Sequence, residues 1–173
     1  VYALEPNIFV IKALFSPTTG VVDSHSLMKR FETNTLNNGA QIVYGSEVTG
    51  VRKIDSGYEI RLLDADGNEF SFTSGIVINS AGLTSDRVSE MTGIVDEKLK
   101  IHFCKGEYFR VKPPKNKLIS RLVYPVPHQN MEGIGIHVTI DMGGGVKLGP
   151  DVTYLDSNIY DYKVDLSKQE AFW

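Results

Sequence analysis

Ile76-Val77-Ile78-Asn79-Ser80-Ala81-Gly82-Leu83-Thr84-Ser85-Asp86-Arg87 is the stretch on which the fold turns. Residues 75–79 make a short, almost continuously apolar run, the pattern of a strand buried on both faces. Gly82 breaks the run, and Thr84 or Ser85 can start a helix reaching Met91. A buried strand that passes through small residues into a helix lets a bulky anionic ligand approach the backbone closely. Ser80, Ala81 and Gly82 are therefore candidate contact positions. The same three residues also suit a tight turn that needs small side chains only for packing, and both readings stand.

Upstream, residues 8–15 are rich in β-branched and aromatic side chains and predict a strand ending at Ser16-Pro17. Asp23 can cap a helix whose stripe is Leu27, Met28 and Phe31, with Asn38-Gly39 as the stop. Residues 41–44, 47–54, 58–63 and 69–72 predict four short strands. Asp55-Ser56-Gly57 and Asp64-Ala65-Asp66-Gly67-Asn68 separate the last three as hairpin turns. Downstream, residues 102–112, 121–125, 135–141 and 145–148 again alternate like strands, broken by Pro113-Pro114 and Gly143-Gly144-Gly145. The order strand–helix–meander, then strand–helix, then antiparallel strands implies an α+β (mixed α/β) fold of two interwoven layers.

The chain has 173 residues, 42% of them hydrophobic and 23% charged, and a net charge of −3. That size suits one sizeable core or two small lobes. No basic run follows a phosphate backbone, so nucleic acid is not an expected partner. No apolar stretch approaches the roughly 20 residues of a membrane helix. Cys104 is the only cysteine, which excludes a disulfide framework or a multi-cysteine metal site and fits a reducing cytoplasm. Both termini read as if cut from a longer chain: Val1-Tyr2-Ala3-Leu4-Glu5-Pro6 lacks a basic leader, and Lys168-Gln169-Glu170-Ala171-Phe172-Trp173 looks like a helix beginning.

Three places can carry chemistry. The turn at Ser80-Ala81-Gly82 is one. His25, in the first turn of a helix, is a second, though the position reads first as an ordinary exposed histidine and only then as a catalytic one. The third is formed by Lys105-Gly106-Glu107-Tyr108, Tyr124-Pro125-Val126-Pro127 and Gly135-Ile136-His137-Val138-Thr139. Period two puts Tyr108 in phase with Gly106 and Arg110, and His137 in phase with Gly135 and Thr139. Such a face can bind a small acid, or it can simply meet solvent. His137 is the general-base candidate, because imidazole titrates near neutral pH. His25, His102, His128 and His137 show no metal-ligand spacing, so no metal is expected. Gly143-Gly144-Gly145 lacks the strand-to-helix setting of a phosphate loop and reads as a hairpin.

Six blocks together resemble the FAD-dependent oxidoreductases of the L-2-hydroxyglutarate dehydrogenase/oxidase family, within the D-amino-acid-oxidase-like group. They are residues 13–23, residues 77–87, Lys105-Gly106-Glu107-Tyr108-Phe109, Tyr124-Pro125-Val126-Pro127, Gly135-Ile136-His137-Val138-Thr139 and Gly149-Pro150-Asp151, in the family's order. The resemblance implies an antiparallel substrate-domain sheet interwoven with part of a Rossmann-like FAD domain. Residues 1–20 and 100–155 would be substrate-domain strands. Residues 21–99 would belong to the FAD domain and its meander, and 156–173 would start a truncated C-terminal segment. It also implies Val48 beside the adenine, and Ser80, Ala81 and Gly82 at the adenosine and pyrophosphate. Tyr124, His137 and the Gly149-Pro150 turn would face substrate and flavin, with Tyr124 and His137 as catalytic residues and Gly149 against the cofactor.

The implied reaction is oxidation of a small L-2-hydroxy acid, with L-2-hydroxyglutarate the leading substrate, to the 2-oxo acid. An amine or amino-acid oxidase, a glycerol-3-phosphate dehydrogenase of the same architecture, and a non-catalytic truncated module are the alternatives. Oligomeric state stays open. One departure matters: the family's Gly-x-Gly-x-x-Gly turn is absent from this sequence. The chain alone is therefore expected to be inactive and to bind FAD weakly or not at all.

Overall fold

The computed structural model describes residues 1–126 and 135–172; Pro127, His128 and Trp173 from the sequence reading lie outside the described residues. The chain divides into two compact units, Val1–Arg30 with Cys104–Trp173 and Phe31–Phe103. Helices and small antiparallel sheets make the fold α+β.

Helix α1, Ser24–Asn37, begins where Asp23 Oδ1 accepts the N–H groups of His25 at 3.0 Å and Ser26 at 3.3 Å. Those are amides that the first turn leaves without helical partners. It ends at Gly39, whose φ of 77° is the left-handed value a helix stop calls for. Leu27, Met28 and Phe31 are exposed on it.

The unit Phe31–Phe103 is built on a meander: β1, Glu47–Ile54, β2, Gly57–Leu63, and β3, Glu69–Ser74, in the order β1-β2-β3. Both hairpin turns fall where the Asp/Gly clusters put them. At the second, Asp64 Oδ1 accepts Asp66 N at 2.9 Å and Asn68 N at 2.8 Å. A bulge between Val48 and Gly50 inserts one residue into β1. Without it, Val48 and Val51, three apart, would point to opposite faces. With it, Val48 pairs with Leu62 and Val51 with Ile60 on one face, and Val51, Ile60 and Leu62 form the buried centre of this unit. Helix α2, Ser85–Met91, packs against β1 and follows a 3₁₀ turn at Gly82–Thr84.

In the other unit, β4, Cys104–Lys105, pairs with β8, Thr153–Tyr154. A three-stranded sheet has the order β5-β7-β6, with β5 Phe109–Val111, β6 His137–Ile140 and β7 Val146–Gly149, all antiparallel. The β6–β7 connection carries Gly143-Gly144-Gly145 as a hairpin, pinned by Asp141 Oδ1 accepting Gly143 N at 2.9 Å and Gly145 N at 2.8 Å. Val111 and Val146 are buried on one side of this sheet, where the Phe109 and Phe172 rings meet at 4.7 Å.

Several expected strands do not form. Residues 8–15 and 41–44 take no regular structure. Residues 75–79, expected as a doubly buried strand, are irregular, with Ile76 80% and Ile78 84% exposed. The reason is common to all three. A strand exists only as a hydrogen-bonded partner of another strand, and no neighbour pairs with these segments among the described residues. The predicted strand at 102–112 shrinks to β4 and β5, and that at 121–125 to one bridge, Val123 to Val138.

Candidate functional site

Four separated sequence blocks meet on one face of the β5-β7-β6 sheet. Directly opposed residues of antiparallel strands share a face. Arg110, Lys147 and Thr139 are therefore in line on the polar side, and His137 lies opposite Gly149 at its end. The Val123–Val138 bridge brings the next residue, Tyr124, over His137; the rings stack at 4.3 Å with 25° between their planes. This cover leaves His137 7% exposed while Tyr124 remains half exposed.

His137 is fixed from a second side. Its Nδ1 lies 2.9 Å from the Gly135 carbonyl oxygen. A carbonyl only accepts, so Nδ1 carries the proton in this contact and Nε2 is the ring nitrogen left to accept one. Gly135 has φ 71°, and a Cβ there would sit 2.9 Å from Pro125 Cγ. The turn that presents the carbonyl thus depends on glycine.

Gly149 is the tightest point. Its φ is 129°, and a Cβ would lie 2.5 Å from the Glu107 carbonyl oxygen and 3.0 Å from Tyr108 Cδ1. Tyr108, Gly149, His137 and Tyr124 are in this way neighbours by contact, ring stacking and register.

Beneath that face lies a charged cluster that the sequence reading did not single out. Glu107 is 3% exposed and bonds with the Lys168 ammonium. It also accepts Asp165 N at 2.5 Å. Lys168 Nζ donates further to Asp151 Oδ2 at 2.7 Å and Thr153 Oγ1 at 2.8 Å. The Lys168 ammonium hydrogen bond, then the Asp165 N–H, hold the Glu107 carboxyl below its ordinary range against the effect of burial. Burial is the largest single influence on Asp151 and pushes its carboxyl up. The Lys168 bond and the Glu107 N–H outweigh it and leave the carboxyl low. Asp151 and Glu107 in turn raise Lys168 well above the usual lysine range. One sequence signal could have exposed Glu107: period two puts it in phase with Phe109 and Val111, an acid on an apolar face.

The other positions lie in the meander unit. Val48 is half-buried beside the bulge. Ser80, Ala81 and Gly82 are exposed. Asn79 braces their turn, its Oδ1 accepting Ala81 N at 3.2 Å and its Nδ2 donating to Ser85 O at 2.8 Å. Nothing lies within 4 Å of where a Gly82 Cβ would be. A side chain at Gly82 would meet open space. His25 is exposed beside Asp23, with no catalytic partner described. Among the described residues no group of three or more His, Cys, Asp or Glu side chains is placed to hold a metal ion.

Fold and face together make an α+β module with one polar, histidine-bearing sheet face. The profile of the FAD dependent oxidoreductase (DAO) family matches residues 1–173, and the chain belongs to that family. It is 28% identical to the mitochondrial L-2-hydroxyglutarate dehydrogenase of Arabidopsis thaliana, over 98% of this chain and 42% of that protein. It is 31% identical to the Escherichia coli K12 L-2-hydroxyglutarate dehydrogenase, over 85% of this chain and 34% of that protein. The Caenorhabditis elegans mitochondrial enzyme of the same name is 35% identical, over 86% and 34%. A solved flavoprotein/dehydrogenase from Cytophaga hutchinsonii superposes with a TM-score of 0.54 at 16% identity, over 76% of this chain and 32% of that one. The chain thus spans about a third to two fifths of the length of these relatives.

Proposed function

We propose that this chain supplies the substrate-facing sheet and part of the FAD-binding lobe of a dehydrogenase acting on a small L-2-hydroxy acid. L-2-hydroxyglutarate is the first substrate to test. On this reading the unit containing β4 to β8 is the substrate domain, and the meander unit belongs to the FAD domain. The observation that carries the reading is His137: a nearly buried imidazole, held by a carbonyl on one side and a tyrosine ring on the other, with Nε2 left as acceptor.

Bound FAD would supply a hydride acceptor. Ser80, Ala81 and Gly82 would admit its adenosine and pyrophosphate to open main chain, with Val48 near the adenine and Gly149 against the flavin side. His137 Nε2 would take the substrate hydroxyl proton as the C–H bond breaks. Tyr124 would keep the ring in plane and exclude water from one side. Arg110 and Lys147, on the same sheet face, would favour an anionic substrate. Cys104, exposed and unpaired, fits a reducing compartment such as the cytoplasm.

The test is substitution of His137→Gln in the flavin-loaded protein that carries this chain. Turnover of L-2-hydroxyglutarate should fall by a factor of about 10²–10⁴, the usual contribution of a positioned base, with flavin content unchanged. Undiminished turnover would sink the assignment of the base. A substrate panel including amino acids and glycerol 3-phosphate decides the substrate class.

A further inference from the structure

We propose that Lys168 is a positioning residue for the His137 site, acting through Asp151 to hold the Gly149 turn against the Glu107 peptide. The proposal rests on reading the His137 face as the substrate site.

An ammonium has three N–H donors, and those of Lys168 all have partners: Glu107 Oε2, Asp151 Oδ2 at 2.7 Å and Thr153 Oγ1 at 2.8 Å. These partners come from two separate stretches, and Lys168 itself sits on a third, the 3₁₀ segment Leu166–Phe172. Asp151 then clamps both edges of residue 107. Its Oδ1 accepts Glu107 N at 2.7 Å, and its own N–H donates to Glu107 O at 3.3 Å. That same carbonyl oxygen is the atom 2.5 Å from the missing Gly149 Cβ, and Gly149 is the register partner of His137. An unbroken series of contacts therefore runs from Lys168 through Asp151 and the 107 peptide to Gly149 and His137.

Removing the ammonium leaves the Glu107 and Asp151 carboxylates side by side with no shared cation. Two such groups repel when both are charged and accept one proton between them when the pH falls. Among the described residues, the other charges facing the cluster are Lys105, itself paired with Asp161 at 2.9 Å, and Asp165, whose carboxylate is turned to Ser167. Neither takes the ammonium's place between the two carboxylates. Loss of the lysine should therefore loosen the Gly149 turn at alkaline pH and spare it at acid pH.

The experiment compares Lys168→Met and Lys168→Arg with the parent, as flavin-loaded proteins containing this chain and labelled with ¹⁵N-histidine. In K168M the His137 ring resonances should move at about pH 8 and return toward the parent positions at about pH 6, with His25 and His102 unmoved. KM for the hydroxy acid should rise about tenfold at the higher pH and less than about threefold at the lower, with flavin content kept and K168R close to the parent.

Parent-like His137 resonances in K168M overturn the proposal. So does a loss confined to thermal stability and folded fraction, with parental KM at both pH values. If the parent oxidises no hydroxy acid, the proposed function fails, yet the His137 resonances still decide the coupling. Should K168M not fold, Asp151→Asn replaces it: this removes the carboxylate charge facing Lys168 and should shift the same resonances, and their invariance is equally fatal.

Discussion

At the scale of single residues, the site depends on a glycine more than on any of the groups that would do chemistry. Gly149 combines a φ of 129° with space too small for a methyl group between the Glu107 carbonyl and the Tyr108 ring. A Cβ would force the 107 peptide, the Tyr108 ring or the turn itself to move, and the turn is the register partner of His137. Gly149→Ala should cost about 1–3 kcal/mol, from backbone strain and overpacking together. It should also lower turnover more than the loss of folded protein explains. Urea unfolding measures the first effect and activity per bound flavin the second. Parental stability in that variant would mean that the turn adapts. Glycine at this position was legible in the sequence only as part of a familiar block. The carbonyl it must accommodate lies 42 residues earlier in the chain (149 against 107), and no local pattern announces it.

Among the elements, what could be read from the sequence divides by the range of the interaction that makes each one. The turns at 55–57 and 64–68 and the Asp23 cap formed as expected, because the residues that close them lie within four positions of one another. Residues 75–79 did not. Ile76, Val77 and Ile78 have the composition of a central strand, but composition cannot supply a neighbour. The 3₁₀ segment Leu166–Phe172 is the opposite case. Its Leu, Lys, Gln, Glu and Ala favour a helix, but its place is set at long range, by Phe172 against Phe109 and by Lys168 against Glu107, an interaction across 61 residues.

The cluster that anchors that segment carries a pH dependence whose sign follows from the Glu107 and Asp151 carboxylates. Glu107 and Asp151 are held below their ordinary values, so their contribution to stability is complete above about pH 4–5 and is lost as the pH falls through the lowered values. Lys168, raised, contributes fully up to its ordinary range near pH 10 and loses that contribution only above it. Urea midpoints followed by near-ultraviolet circular dichroism should therefore be flat from about pH 5 to 9 and fall steeply below pH 4. Glu107→Gln should lower the neutral plateau by about 1.5–3 kcal/mol, the usual worth of a hydrogen bond to a charged group, because Lys168 keeps Asp151 and Thr153, and it should make the acid limb shallower. A plateau unchanged by that substitution would show that the pair contributes nothing to the fold.

For the whole molecule, the distribution of apolar surface matters more than any one contact. Phe9 is 84% exposed, Ile11 99% and Leu14 103%, in a segment that reads as a strand, and Ile76 and Ile78 are nearly as open. Large exposed apolar runs are places where another surface packs. The matched relatives are more than twice as long as this chain. The turn at Ser80-Ala81-Gly82 is exposed and is the proposed point of dinucleotide contact, but this sequence has no Gly-x-Gly-x-x-Gly loop to carry the pyrophosphate charge. Steric access without that cradle gives little affinity, since the phosphates supply most of the polar recognition. Purified by itself, the 173-residue chain should hold no flavin absorbance after desalting, and it should elute larger than a monomer at micromolar concentration as its apolar runs and free strand edges pair. Adding FAD should not change its thermal midpoint, because a ligand bound far more weakly than its concentration shifts nothing. A yellow, monomeric preparation would reverse both expectations. It would mean that the small-residue turn and the meander suffice to hold the dinucleotide, and that the exposed runs are covered within the chain itself.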